Sequence, residues 1–181
     1  MGGHNELHKE LIDRCKVGDI KAQYSLYKLF SKSLYNVAMR FMNNKMDADE
    51  IVQDTFITAF KKIENFEGKG AFGQWLKRIA INNCISVLRK RKIHFDDIEA
   101  IQVAADPDEY LDEQIDPGIV HRAIRELPDK ARTILNLYAL EGYKHREIGE
   151  ILGITESTSK TQYKRAKQIL LDKLKNVIHE N

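Results

Sequence analysis

The chain has little of what interrupts or staples a fold. Only 3 Pro and 10 Gly occur in 181 residues, so long helices are permitted and collagen-like or low-complexity architectures are excluded. Two Cys, Cys15 and Cys84, are present. They have no CxxC spacing and no His cluster beside them, which excludes a disulfide framework and a zinc finger and reads as reduced thiols in a cytoplasmic protein. No apolar run approaches a membrane span, and the N-terminus lacks a signal-peptide pattern. Met1-Gly2-Gly3 is not a myristoylation start, because Glu6 stands where Ser or Thr is wanted. No Ser/His/Asp set, metal-ligand spacing or phosphate loop appears, and the 6 His are scattered. The expectation is a protein without catalytic residue, cofactor or metal.

The last absence is local. Residues 95–116 contain nine acids and no Lys or Arg. On either side the balance reverses, with 17 Lys+Arg against 10 acids in residues 1–94 and 12 against 8 in residues 117–181. The formal charge of +2 therefore conceals two basic blocks joined by an acidic strip. In that strip the helical period is lost, and Asp106-Pro107 and Asp116-Pro117-Gly118 punctuate it as a linker. The expected domains are residues 1–94 and 117–181, with 95–116 between them.

What is present is helix. Gly18-Asp19 breaks residues 5–43, with Asp19 a cap, after which Ala22, Leu26, Leu29, Phe30, Val37 and Phe41 form an apolar stripe. Asn43 to Met46 reads as a turn. Asp47-Ala-Asp-Glu50 matches a capping box. The helix after it points Val52, Phe56, Ala59, Phe60 and Ile63 inward. Glu50, Gln53, Asp54, Ile57 and Lys61 point outward, with Thr58 beside them, a patch that suits a protein partner or, more plainly, a solvated face. Asn65 to Gly70 is a glycine-rich loop. Phe72, Leu76, Ile79, Ala80 and Leu88 then mark a helix ending in Arg89-Lys-Arg-Lys92. Trp75 lies close to Lys77 and Arg78, and aromatic rings beside cations suit unpaired bases and their phosphates. A core role for part of Trp75 is the plainer reading.

Two further helices, closed by Pro128 and Gly142, lead to residues 144–167. Ile148, Ile151 and Leu152 form an apolar stripe, Gly153 ends that helix in the left-handed conformation, and Thr155 caps the next. Tyr163, Ala166, Ile169, Leu170 and Leu174 face inward. Lys160, Thr161, Gln162, Lys164, Arg165 and Lys167 on the other face offer the amides and cations that meet groove edges and phosphates. The pattern predicts a helix-turn-helix. The whole chain is expected to be all-α, with two small helical domains and no strand.

In this order the motifs resemble the extracytoplasmic-function group of bacterial sigma factors. Asp47-Ala-Asp-Glu-Ile-Val-Gln-Asp-Thr-Phe56 looks like that family's core-polymerase-binding helix. Phe72-Gly-Gln-Trp-Leu-Lys-Arg-Ile-Ala-Ile-Asn82, continuing to Leu88-Arg-Lys-Arg-Lys92, looks like its promoter-melting helix. Leu127-Pro128 and Leu140-Glu-Gly142 precede a similar C-terminal helix-turn-helix. Ser86, Lys144, Gly149 and Ser157 depart from the commoner Asp, Ser, Ala and Gly. The resemblance implies a transcription initiation factor, with core RNA polymerase, promoter DNA and an anti-sigma factor as partners. Asp49, Glu50, Gln53, Asp54 and Ile57 would meet the clamp helices of the polymerase beta-prime subunit, and the C-terminal domain its beta flap. Asn65, Phe66, Gly68, Trp75, Lys77, Arg78, Asn82, Asn83, Arg89 and Arg91 would meet the minus-ten element, whose base flips into the Asn65–Gly70 loop. Thr158, Lys160, Thr161, Gln162, Lys164 and Arg165 would meet the minus-thirty-five element, and the acidic linker would mimic nucleic acid in the polymerase's RNA channel. A stand-alone helix-turn-helix regulator is the alternative, although it leaves the outward face of residues 47–60 and the basic Trp75 helix without a role.

Overall fold

The computed structural model describes residues 3–68, 71–91, 93 and 116–179, with the side chains of 3–7 and 177–179 left aside. The acidic strip expected at 95–116 lies outside the described residues except for Asp116, as do Lys69 and Gly70 of the glycine-rich loop. All regular structure among the described residues is helical. The helices are α1 (Gly3–Lys16), α2 (Ile20–Met42), α3 (Lys45–Lys61), α4 (Phe72–Lys90), α5 (Pro117–Arg125), α6 (Asp129–Leu135), α7 (His145–Leu152) and α8 (Glu156–His179). A 3-10 turn occupies Ile63–Asn65, and a π turn, Asn136–Leu140, continues α6. None of the described helices is long and apolar enough to cross a membrane. The backbone divides into two compact units, Met1–Val87 and Leu88–Asn181.

In the first unit the start of α2 follows from local chemistry. Gly18 takes φ +82°, and the Asp19 carboxylate accepts from the N–H groups of Lys21 at 2.8 Å and Ala22 at 3.2 Å, which satisfies donors that a helix start leaves open. Arg14 of α1 donates to the same carboxylate at 2.9 Å, tying α1 to the head of α2. The side-chain hydrogen bond from Arg14 is the largest of the effects that hold the Asp19 carboxyl below its usual pKa. The start of α3 differs from the capping box expected at Asp47. Asn44 is the cap, its Oδ1 accepting from the Asp47 N–H at 3.2 Å, and Asp47 sits in the first turn, where the positive helix end favours an acid. Asn43 in the left-handed conformation, φ 50°, turns the chain within two residues, so Lys45 and Met46 are already helical. Leu26, Phe41, Ile51, Leu76 and Ile81 from α2, α3 and α4 are fully buried. Thr55 on α3, also fully buried, donates to the Ile51 carbonyl at 2.6 Å and accepts from Asn83 of α4 at 3.4 Å.

In the second unit Ile124, Leu127, Ala131, Leu135 and Ala166 form the core. Asp116 accepts from the Gly118 N–H at 2.9 Å, with Pro117 in the first turn of α5, where a missing N–H costs nothing. Arg132, 3 % exposed, donates to the Leu127 carbonyl at 2.7 Å and to the Arg125 carbonyl at 3.3 Å, closing the C-terminal end of α5. It also pairs with Asp129.

Candidate nucleic-acid and protein interfaces

The helix-turn-helix is built by three local devices. The Lys144 N–H donates to Glu147 at 2.7 Å, the half of a capping box that survives a lysine at the cap. Gly153 takes φ +72° and its N–H donates to the Gly149 carbonyl. Thr155 Oγ1 then accepts from the Thr158 N–H at 3.0 Å, which starts α8. Gly149 permits the turn to fold back: a Cβ there would lie 2.7 Å from the Ile154 carbonyl oxygen, closer than carbon and oxygen tolerate. The close approach comes from the turn's own backbone.

The outward residues of α8 differ from the expected set. Lys160 and Lys164 are exposed and Thr158 and Thr161 half-exposed. Gln162 is only 6 % and Arg165 only 9 % exposed, so both leave the open face on which the pattern placed them. The reason is helical spacing. Ser159 and Ala166 are fully buried, and Gln162 lies three residues after the one and four before the other, on the same stripe, with Arg165 at its edge. Among the open residues, Lys160 pairs with Glu156 at 2.6 Å, and this bond is the main cause of the Glu156 carboxyl's lowered pKa. Thr158 serves the cap, and Thr161 donates to the Ser157 carbonyl at 3.1 Å.

A cluster that the sequence pattern missed braces the motif. The π turn places the Tyr138 ring on His145, stacked at 4.3 Å, with Tyr163 at 4.5 Å from Tyr138. His145 Nδ1 meets Ser159 Oγ at 3.0 Å, joining α7 to α8. Burial, then the nearby Lys160 charge, pushes the His145 pKa down. No period in the sequence announces a π turn, whose extra residue shifts the register of every side chain after it.

On the first unit, Asp49, Glu50, Gln53, Asp54 and Ile57 are all exposed on α3. Met46, 81 % exposed, extends that stripe by one turn, and Ile57 is 52 % exposed. Three acids beside two bare apolar side chains make a surface unlike a uniformly solvated one.

The basic helix α4 has an open edge as well. Arg78, Asn82 and Arg89 are exposed at helical spacing, with Arg91 just beyond the helix. Asn83 is not on that edge, since it turns inward to Thr55. Asn65 is exposed at the end of the 3-10 turn, and Gly68 follows with φ +73° and open space around it. Phe66 differs from its expected place on the strand-facing surface. It is 9 % exposed, with its ring edge-on to Phe72 at 5.2 Å and 5.5 Å from Trp75. Three aromatic side chains at this spacing exclude water best by stacking on one another. Trp75 is half-buried in that cluster. Beside it opens a cavity of about 820 Å³, with Phe30 and Phe72 in its wall and Lys9, Lys16 and Lys77 at its lining.

Both units match known families. The Sigma-70 region 2 family matches residues 26–93, and the Sigma-70 region 4 family residues 118–170. The ECF RNA polymerase sigma factor SigW of Bacillus subtilis is 30 % identical over 93 % of this chain and 97 % of its own length. The RNA polymerase sigma-H factor of Pseudomonas aeruginosa is 26 % identical over 97 % of each chain. Among solved structures, the sigma factor RpoE bound to the anti-sigma factor NepR from Bartonella quintana aligns with a TM-score of 0.55 and 25 % identity, covering 86 % of this chain and 98 % of that one. CnrH in complex with the cytosolic domain of CnrY shares the fold, with a TM-score of 0.51 over 92 % of this chain and 96 % of that one. The ordered helices, the helix-turn-helix and these matches agree: the chain belongs to the extracytoplasmic-function sigma factors of RNA polymerase.

Proposed function

We propose that this sigma factor acts in the cytoplasm through three surfaces, none of them catalytic. The carrying observation is that exposed, chemically distinct stripes fall on separate helices: acids and apolar groups on α3, cations and the Asn82 amide on α4, and lysines flanked by half-exposed threonines on α8. The stripe of Asp49, Glu50, Gln53, Asp54 and Ile57 docks on the clamp helices of the polymerase beta-prime subunit, where acids meet cations and Ile57 loses its water. The beta flap receives the C-terminal domain.

Helix α8 enters the major groove of the minus-thirty-five element. Lys160 and Lys164 anchor phosphates, while Thr158 and Thr161 face base edges. Gln162 and Arg165 contribute only if binding uncovers them. The minus-ten strand runs along Arg78, Asn82, Arg89 and Arg91, and one flipped base enters the cavity beside Gly68 and Trp75, with Lys77 at its wall. Flipping costs a few kcal/mol, offset by stacking and phosphate contacts. Asn65 flanks the entry, whereas Phe66 and Asn83 support it from within. Residues 95–116 link domains at 1–94 and 117–181, and their nine acids occupy the polymerase's positively charged RNA channel. The relative from Bartonella quintana was captured with an anti-sigma factor, and we extend that class of partner to this chain.

Run-off transcription with purified core polymerase and a promoter library tests the proposal. Transcripts sharing two spaced motifs, only when the protein is added, are the expected result. Sequence-specific binding to duplex DNA without polymerase-dependent transcripts would instead favour a stand-alone regulator.

A further inference from the structure

The cavity in the first unit has a wall that the strand-binding reading does not use. Helix α1 lies outside residues 26–93 matched by the region 2 family, yet it lines the cavity with His8, Lys9 and Lys16. The opposite lining comes from the turn at Glu64 to Gly68 and the first turns of α4. His8 is half-buried, and its ring lies 5.5 Å from Phe30, tilted by 58°. Phe30 in turn meets Phe72 edge-on at 5.7 Å. Gly73 keeps this wall tight, since a Cβ there would come within 3.0 Å of the Phe30 ring. A flat ring, an aromatic wall and lysines nearby suit a nucleotide, whose base stacks and whose phosphate seeks cations. Phe30, Phe66 and Phe72 can only stack. Ser33 and Gln74 also line the cavity and can hydrogen-bond, but among the described lining residues His8 alone combines a flat ring with nitrogens able to donate and accept hydrogen bonds.

We propose that α1 completes the nucleotide pocket and that His8 is a specificity-determining residue, selecting the base that enters. The inference rests on the reading that a flipped promoter base occupies this cavity. Stacking tolerates any base, so selection requires hydrogen bonds to the base edge, and His8 supplies them from the wall. Lys9 and Lys16 bring positive charge to the same helix, where the adjoining phosphate would lie. Asp13, Glu64 and Glu67 also line the cavity, which balances its three lysines, and Asp13 sits 3.8 Å from Lys16, so the attraction for a phosphate is local to Lys9 rather than spread over the wall.

The test uses the full-length protein in holoenzyme and the promoter recovered from the library. Non-template minus-ten strands carry 2-aminopurine at each position in turn, which locates the base that brightens on leaving the stack. Strands with each of the four bases at that position are then titrated. Wild type should prefer one base by about ten-fold or more, the discrimination expected of one well-placed base-edge contact. His8→Ala should bring the four affinities within about threefold of one another, and His8→Gln, which keeps a donor and an acceptor, should restore part of the preference. Both variants should melt with wild type. An unchanged base ranking in His8→Ala would overturn the role of His8 while leaving the cavity reading intact. A wild-type holoenzyme that binds the strand but brightens no position would overturn the cavity reading, and this inference with it.

Discussion

Phe66 gives the sharpest test of how the first unit is built. Phe66→Ala removes a ring that is 9 % exposed, edge-on to Phe72 at 5.2 Å and 5.5 Å from Trp75. Truncating a buried Phe costs about 3–5 kcal/mol. The neighbouring cavity lets the site relax toward its open side, which argues for the lower end, about 3 kcal/mol. For a unit of this size each kcal/mol moves Tm by roughly 4–8 °C, so a fall of at least about 12 °C follows. Trp75 is the chain's one tryptophan, and its contact with Phe66 makes its fluorescence a local reporter of the melt. Circular dichroism read alongside should give the same midpoint. Phe66→Leu, which refills much of the volume, should recover most of the stability. If Phe66→Ala melted within about 2 °C of wild type and lost strand binding instead, the ring would be a base-stacking surface and the core assignment would be refuted.

Lys164→Ala should weaken all promoters alike and reduce the salt slope by about one, while Gln162→Ala, at a buried position, should lower the melting temperature of the second unit before it alters promoter ranking. Binding titrations against minus-thirty-five variants at several salt concentrations check the pair, and identical behaviour would refute the division of roles. Reversing charge with Asp54→Lys should weaken core polymerase binding, measured by fluorescence anisotropy, and leave the melt within about 0.5 kcal/mol of wild type, as expected of an exposed substitution. Burial pushes the Cys84 thiol up to about 12. Below the ordinary thiol range the group is neutral in both folded and unfolded chains and contributes no pH dependence. Above about pH 9 the unfolded chain loses the proton first, so stability should fall as pH rises toward 12, by at most about 1.4 kcal/mol per unit from this group. Urea unfolding at pH 7.5 and 10.5 measures it, and Cys84→Ala should flatten that part of the loss.

The local signals of the fold were legible because they act over a few residues. Gly18 and Asp19 stop and restart a helix, Gly153 and Thr155 make the turn of the helix-turn-helix, and Asp116 with Pro117 opens α5, each through contacts no more than five residues away. The shift of the α3 cap from Asp47 to Asn44 shows the limit even there. Both residues have capping side chains, and the choice fell to the left-handed Asn43, whose backbone brought the chain round early. The exposed stripe on α3 was readable for the same reason, since one helix period fixes it.

The interior roles were not. Asn83 is polar and sits in a basic helix, but its partner Thr55 is 28 residues away, and no spacing in the sequence links them. Phe66 reads as a loop aromatic until Phe72 and Trp75 close over it. Gln162 and Arg165 share a helix with exposed lysines, yet buried Ser159 and Ala166 draw them inward. The cavity draws walls from α1, α2 and α4, so the place of α1, which lies outside the region 2 match, was set only when the chain folded. By itself the sequence determined where helices begin and end, their order, and through that order the family. Tertiary structure decided which polar and aromatic side chains stay exposed, because burial depends on groups distant along the chain that only folding brings together.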